Sequence, residues 1–175
     1  MNAAIHTLCW YLHSLAMEKP CMPLLGDEGG WLTAEQTEEL VEAGAGLLYA
    51  SGLRPGTLAL LSAGRTVNTV LALLCLQRVG AAAVLADPRE TPEQTLGSCT
   101  PPLSVPFLVK AGGSLRRPAL LLTRTEDHTC LNLPLASSGG TPAPAADDPH
   151  APAFYIFNSG SSGQKKAVIL SQGNL

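Results

Sequence analysis

The chain has 175 residues, of which 46% are hydrophobic and 14% are charged, and its formal net charge at pH 7 is −3. This length fits one domain with a substantial core, and the apolar content excludes a disordered chain. The light, mixed charge offers no basic field that would attract nucleic acid, and the few aromatic residues are scattered. We therefore expect no nucleic-acid role.

Targeting, membrane-spanning and metal-binding segments are not expected either. Residues 1–5 carry no basic region, and the longest apolar run, 67–86, is broken by Gln77 and Arg78. The 5 cysteines are far apart and form no CxxC pair, and the 4 histidines are scattered. These spacings predict reduced thiols in a cytoplasmic protein, with neither a disulfide framework nor a zinc site.

The first third of the chain predicts a helix, a hairpin and a second helix. Apolar residues at helical spacing predict an amphipathic helix over residues 3–18. Two short extended pieces on either side of G-D-E-G-G, residues 26–30, predict a β-hairpin. Thr33 and Gln36 match a capping box at the start of the second helix, which we expect to end near Ala50.

The next stretch predicts a strand–helix–strand unit. Residues 58–61 and 81–85 are apolar runs typical of buried strands, and residues 66–79 between them predict a helix that is apolar nearly all round. Such a unit forms parallel strands joined by a right-handed crossover. Gly64 and Arg65 would follow the first strand, at the edge where α/β sheets bind ligands, although connecting the elements is the more common role of such a pair.

The pattern beyond residue 90 is less regular. We expect one helical turn and three strands, over residues 91–96, 105–109, 119–122 and 130–133. Loops are expected at three short stretches, Gly112-Gly113, Arg116-Arg117-Pro118 and Thr125-Glu126-Asp127. Residues 136–152 are rich in Pro, Ala, Gly and Ser and predict a flexible surface connection.

Residues 154–175 carry the pattern with the most specific chemistry. The apolar runs 154–157 and 167–170 predict a strand and a returning strand, separated by N-S-G-S-S-G-Q-K-K. Gly160 and Gly163 allow a tight turn with exposed backbone N–H groups, and the lysines add positive charge, so the turn could hold a polyphosphate. A plain hairpin loop is the alternative, whereas a Walker-type loop does not fit the spacing.

This segment resembles the phosphate-binding loop of the AMP-forming adenylate-forming enzymes, which include acyl-CoA synthetases, luciferases and peptide-synthetase adenylation domains. Their loop reads roughly [ST]-[ST]-G-[ST]-[ST]-G-x-P-K-G, followed by apolar residues and [ST]-H-x-N-L. The matching positions are Ser159, Gly160, Ser161, Ser162, Gly163, Lys166, Ser171, Asn174 and Leu175. The departures are Asn158, Lys165 for the proline, Ala167 for the glycine and Gln172 for the histidine.

Three upstream segments resemble the same family, in the same order. They are W-L-T-A-E-Q-T-E-E-L, G-L-R-P-G-T-L-A-L-L and L-C-L-Q-R-V-G-A-A-A-V-L-A-D-P, so the resemblance covers roughly residues 30–90 and 154–175. The resemblance implies an α/β fold with a mostly parallel sheet flanked by helices. It also implies that residues 1–175 are the N-terminal part of a large AMP-binding domain, with the rest of that domain and a C-terminal domain lying beyond them.

The resemblance further implies an ATP-dependent ligase that uses Mg²⁺. Enzymes of this family form an acyl-adenylate from a small carboxylate and ATP, and usually pass the acyl group to a thiol of coenzyme A or of a carrier protein. Residues 159–163 would then hold the β- and γ-phosphates, Lys166 would offset their charge, and Lys165 is a second candidate for that role. No catalytic residue and no metal ligand is expected within residues 1–175.

Two functions remain open on the sequence. One is the N-terminal fragment of an acyl-CoA synthetase-like, carboxylate-activating ligase that is inactive by itself. The other is a non-catalytic, stand-alone α/β module that binds a nucleotide or a partner and keeps a vestigial loop. The four departures favour the second function, and the intact N-S-G-S-S-G-x-x-K core opposes it.

Overall fold

The computed structural model describes residues 6–97, 103–135, 148–159 and 165–174. Within these ranges the helices are α1 (Leu8–Glu18), α2 (Ala34–Ala50), α3 (Val67–Val79) and α4 (Pro92–Gly97), with a 3₁₀ turn at Gln172–Asn174. The strands are β1 (Pro23–Asp27), β2 (Gly30–Thr33), β3 (Leu58–Ser62), β4 (Ala82–Ala86), β5 (Phe107–Ser114), β6 (Arg117–Arg124), β7 (Cys130–Pro134), β8 (Pro152–Ser159) and β9 (Lys165–Ser171). None of the described helices combines the length and the hydropathy that a membrane span requires.

Seven strands form one sheet in the order β7-β6-β5-β3-β4-β8-β9. Its four central strands, β5, β3, β4 and β8, are parallel, and the strands outside them pair antiparallel. The α/β class with a mostly parallel central sheet is confirmed. The strands β1 and β2 form the predicted separate hairpin.

The helix boundaries are set by local capping. Thr33 and Gln36 form the predicted capping box: the Gln36 N–H donates to the Thr33 hydroxyl at 3.2 Å, and the Thr33 N–H donates to the Gln36 side chain at 3.0 Å. Thr66 caps α3 in a similar way, and Gly80 ends that helix in the left-handed region at φ 80°. The predicted strand–helix–strand unit, β3-α3-β4, therefore forms with parallel strands.

The first helix begins later than predicted. It starts at Leu8 because the Thr7 hydroxyl accepts a hydrogen bond from the Trp10 N–H at 3.2 Å and so acts as the N-cap. His6 precedes the cap and stacks on the Trp10 ring, with a centroid separation of 3.7 Å. Residues 3–5 of the expected helix lie outside the described part of the chain.

Two of the predicted loops are parts of strands instead. The Gly112-Gly113 pair lies near the end of β5, just before Ser114, while Arg117 and Pro118 begin β6, so only residues 115–116 turn between the two strands. The turn is tight enough to require glycine at Gly113, where φ is 76° and an added Cβ would lie 2.1 Å from the Arg117 carbonyl oxygen. The periodicity did not reveal this hairpin because its ends are made of glycine, arginine and proline.

The end of the predicted connection over residues 136–152 also differs. Pro152 is the first residue of β8, opposite Ser171, and residues 149–150 form a turn before it. Residues 136–147 lie outside the described ranges, so the expected flexibility there stays a prediction.

The core lies mainly on one face of the sheet. The helices α1, α2 and α3 pack there against alternate residues of the strands, such as Leu61, Leu120 and Leu122, all fully buried. The opposite face carries a smaller cluster around Leu60 and Val84, which α4 and residues 103–105 cover. Helices thus lie on both faces of the sheet. The connections between strands cross over these faces and not over the ends of the parallel strands.

Candidate functional site

The β8–β9 hairpin brings the two ends of the predicted phosphate loop together. The two strands pair antiparallel, with Asn158 opposite Lys166 and Ser159 opposite Lys165. The predicted strand and returning strand are therefore both present, and the turn expected between them falls on residues 160–164, outside the described part of the chain. Of the expected site residues, Gly160, Ser161, Ser162 and Gly163 lie outside the described part of the chain, and Ser159, Lys165 and Lys166 lie at the end of the ladder.

This hairpin stands at the edge where the parallel strands end, which we call the carboxyl edge. Strand β8 pairs with β4 in parallel, with Ala83 opposite Phe154 and Val84 opposite Tyr155. The same register, carried forward, sets Ser159 level with Pro88, in the turn that follows β4. The end of the hairpin therefore lies beside the ends of β3 and β4, where ligands bind in open α/β sheets.

A crevice of about 550 Å³ opens between the ends of β3 and β4, and β4 is the strand that pairs with β8. The chain leaves β3 through α3 on one face of the sheet and leaves β4 toward α4 on the other face, and such a divergence creates a crevice. Gly64 and Arg65 line it, as their predicted place after the first parallel strand requires. The sequence did not reveal that β4 lies beside β8, because the order of strands in a sheet leaves no local signal.

The charged side chains at the carboxyl edge differ in whether they form ion pairs. The Asp87 carboxylate accepts two hydrogen bonds from the Arg89 guanidinium, at 2.7 and 3.0 Å, and this bonding raises the pKa of Arg89. Lys166 is exposed, and neither it nor Arg65 forms an ion pair with a carboxylate of the described residues. Lys166 and Arg65 are therefore two described cations that remain available to an anion at this edge.

The S-Q-G-N segment after β9 forms a local cap. The Ser171 backbone N–H and hydroxyl donate to the Asn174 side-chain oxygen at 3.1 and 2.7 Å, which explains the spacing of these two residues. Gln172 lies between them with 2% of its surface exposed, and its amide oxygen and nitrogen have no partner among the described residues. A buried amide without partners is costly, so the residue that replaces the family's histidine is not matched to its described surroundings.

Within the ranges that the structure describes, no group of three or more His, Cys, Asp or Glu side chains is arranged to hold a metal ion. The described residues of the carboxyl edge thus offer hydrogen-bond donors and cations, which suit an anionic ligand.

Sequence comparison identifies relatives along the whole chain. A family model described as AMP-binding enzyme matches residues 13–175. The nonribosomal peptide synthetase dtxS1 of Metarhizium robertsii is 30% identical over 169 residues, which are 94% of this chain and 2% of that protein. Enterobactin synthase component F of Escherichia coli O157:H7 is 31% identical over 169 residues, which are 95% of this chain and 12% of that protein. The chain therefore spans only a small part of the curated relatives that it matches.

Solved structures show the same fold. The Klebsiella oxytoca NpsA N-terminal subdomain aligns with a TM-score of 0.69 at 20% identity, over 97% of this chain and 43% of that one. The fatty acyl-adenylate ligase from L. pneumophila, solved in complex with acyl adenylate and pyrophosphate, aligns with a TM-score of 0.67 at 22% identity, over 95% and 30% of the two chains. At these identities the comparison establishes the architecture.

Proposed function

The chain belongs to the AMP-binding enzyme family, and from this premise we propose that it is the N-terminal part of an AMP-forming ligase that uses ATP to activate a carboxylate. The observation that carries the proposal is the β8–β9 hairpin, which holds the ends of the S-G-S-S-G segment at the carboxyl edge of the sheet. The whole ligase would join a small-molecule carboxylate to the α-phosphorus of ATP and release pyrophosphate. The remainder of the AMP-binding domain and a C-terminal domain would supply the catalytic residues.

The hairpin would act by binding and positioning the nucleotide. A carboxylate that attacks ATP meets a highly charged anion, so fixed donors and cations must offset the repulsion. Backbone N–H and hydroxyl groups of residues 159–163 would hold the β- and γ-phosphates, and the exposed Lys166 would supply positive charge, with Lys165 as the second candidate. Mg²⁺ bound to ATP would neutralise further charge, with protein ligands from outside the described residues.

A carrier-protein thiol is the acceptor that we favour for the acyl group. The curated relatives above include peptide synthetases, whereas none of those named is a coenzyme A ligase. Coenzyme A stays the alternative acceptor. Four cysteines of the described chain are free thiols, which favours a reducing compartment and hence the cytoplasm.

The phosphate role can be tested without the adenine site. Inorganic tripolyphosphate with Mg²⁺ would be titrated calorimetrically into the protein and into the Lys166→Ala variant. We expect about tenfold weaker binding in the variant, because a hydrogen bond to a charged group contributes on the order of 1.5–3 kcal/mol. Lys19→Ala, at the exposed end of α1, is the matched control and should bind like the unchanged protein. Equal affinity in all three proteins would refute the phosphate role.

The competing function, a non-catalytic α/β module, is favoured by one observation. Lys165 and Ala167 stand where the family has proline and glycine, and both are paired in the β8–β9 ladder, opposite Ser159 and Phe157. The ladder thus continues to the edge of the predicted loop. The reading frame beyond residue 175 separates the two functions: several hundred further codons with an acidic nucleotide motif and a late lysine support the ligase, and a stop codon supports the module. The isolated chain should show no ATP–pyrophosphate exchange in either case.

A further inference from the structure

We propose that a groove at the opposite end of the seven-stranded sheet from the β8–β9 hairpin binds an acidic peptide segment of a partner polypeptide. The groove lies between the β1–β2 hairpin, the first turns of α2 and the β5–β6 hairpin, and its volume is about 960 Å³. Because β6 and β7 form one end of the seven-stranded sheet and β8 and β9 form the other, the groove and the phosphate hairpin are separate sites. The proposal therefore does not depend on the proposed function.

The floor of the groove is apolar and already packed. Leu40, Leu115 and Leu135 line it with only 7%, 5% and 5% of their surfaces exposed, and Pro118 is also buried. A floor held by two hairpins and a helix needs no rearrangement to accept apolar side chains. Concave, preformed surfaces with apolar side chains at the floor are typical of binding sites.

Trp31 forms one wall of the groove and is held in place. Its side chain is 68% exposed, although an apolar ring of this size is usually covered. The ring lies against Gly26 on the neighbouring strand, where an added Cβ would be 2.5 Å from the ring carbons. Gly26 therefore allows the indole to lie close against the hairpin, and tryptophan is among the residues that contribute most to binding interfaces.

Charge on the opposite wall selects an acidic partner. Arg116 and Arg117 line the groove at the turn between β5 and β6, and both are exposed. Neither forms an ion pair with an acidic side chain of the described residues. Glu39 is the one acidic residue among those that line the groove in the described chain, so the lining side chains carry a net formal charge of about +1 in a protein whose formal net charge is −3. A partner segment with carboxylates beside an apolar anchor would complement both features.

A display library of random ten-residue peptides tests this proposal. The library would be selected on the 175-residue protein and, in parallel, on the double variant Arg116→Glu, Arg117→Glu. We expect the peptides enriched on the unchanged protein to be rich in Asp and Glu around a large apolar residue, and to be absent from the parallel selection. No enrichment, or the same peptides on both proteins, would overturn the proposal.

The affinity of one enriched peptide would then be measured by fluorescence anisotropy. The double variant should bind it at least tenfold more weakly, and Trp31→Ala should also weaken it. Arg65→Glu is the matched control: it reverses an exposed arginine at the other site and should leave the affinity unchanged. Thermal unfolding checks that each variant folds. If sedimentation shows that the protein dimerises and that Arg116→Glu, Arg117→Glu abolishes the dimer, the occupant is a second copy and the peptide proposal is wrong.

Discussion

Gly44 has only a hydrogen where other residues have a side chain, and this allows α2 and α3 to pack closely together. It lies in the middle of α2, and an added Cβ would be 2.4 Å from the Cys75 sulfur of α3 and 2.9 Å from a methyl carbon of Leu135. Alanine favours a helix over glycine by about 1 kcal/mol, but overpacking a core costs on the order of 1–3 kcal/mol. We therefore expect Gly44→Ala to lower the free energy of unfolding, measured by urea denaturation.

A double-mutant cycle identifies the cause. Cys75→Ala removes the sulfur that the new methyl group would meet, so Gly44→Ala should cost less in that background than in the unchanged protein. The Leu135 contact is retained, so the relief should be partial. Equal costs in both backgrounds would mean that contact with the Cys75 sulfur is not what makes glycine necessary.

Cys75 also makes stability depend on pH. Burial raises the pKa of its thiol far above the ordinary value of 9.0, and the nearby Cys9 adds to the shift. As pH rises through the ordinary value, the thiol loses its proton in the unfolded chain and keeps it in the folded one. The unfolded state then binds fewer protons, so the free energy of unfolding falls by up to about 1.4 kcal/mol per pH unit, with no such effect at lower pH.

Urea titrations of the unchanged protein and of Cys75→Ala, between about pH 8 and about pH 10, measure this dependence. The variant should lack that part of the slope, while other titrating groups contribute equally to both proteins. Parallel slopes would show that the thiol does not remain protonated in the folded state.

Among the elements, those with a local signal were predictable. The capping box at Thr33 and the left-handed glycine at Gly80 are both written in a few consecutive residues, and both boundaries are confirmed. The start of α1 at Leu8 was missed because the apolar spacing continues past the point where Thr7 caps the helix. The β5–β6 hairpin was missed because its ends are stabilised by pairing with each other, which composition does not report.

Strand β9 is an edge strand with apolar side chains on both faces. Val168 and Ile169 are 47% and 54% exposed, and they point to opposite faces of the sheet because neighbouring residues of a strand alternate. Residues 167–170 contain no charge and no proline, the features by which edges usually avoid pairing with another chain. We expect the protein to self-associate through this edge as its concentration rises, and Ile169→Lys to reduce the association, measured by sedimentation velocity.

The matched control for this prediction is Leu121→Lys. Leu121 is 42% exposed, but it lies on β6, between β5 and β7, where no backbone edge is free. This control should leave the association unchanged. If both substitutions reduce the association equally, then general hydrophobicity rather than the β9 edge drives it.

For the whole molecule, the family and the fold class could be predicted from the sequence, but the arrangement of the strands in the sheet could not. The family, the α/β class and the hairpin of residues 154–170 follow from motifs that are continuous in sequence. The position of β8 beside β4 depends on pairing between strands about 70 residues apart, which no local pattern encodes. The crevice between β3 and β4, and the groove beside Trp31, depend on the same long-range order.

The pairing of β4 with β8 also affects the order in which the sheet forms during synthesis. A chain emerging from the ribosome can complete β3, α3 and β4 early, but one side of β4 stays open until residues near Phe154 have been synthesised. Strands β5, β6 and β7 join the other side of the sheet first, since they come earlier in the chain. The β8–β9 hairpin thus joins the described sheet after β3 to β7, so a chain that has not yet reached these residues carries the scaffold but not the proposed phosphate site.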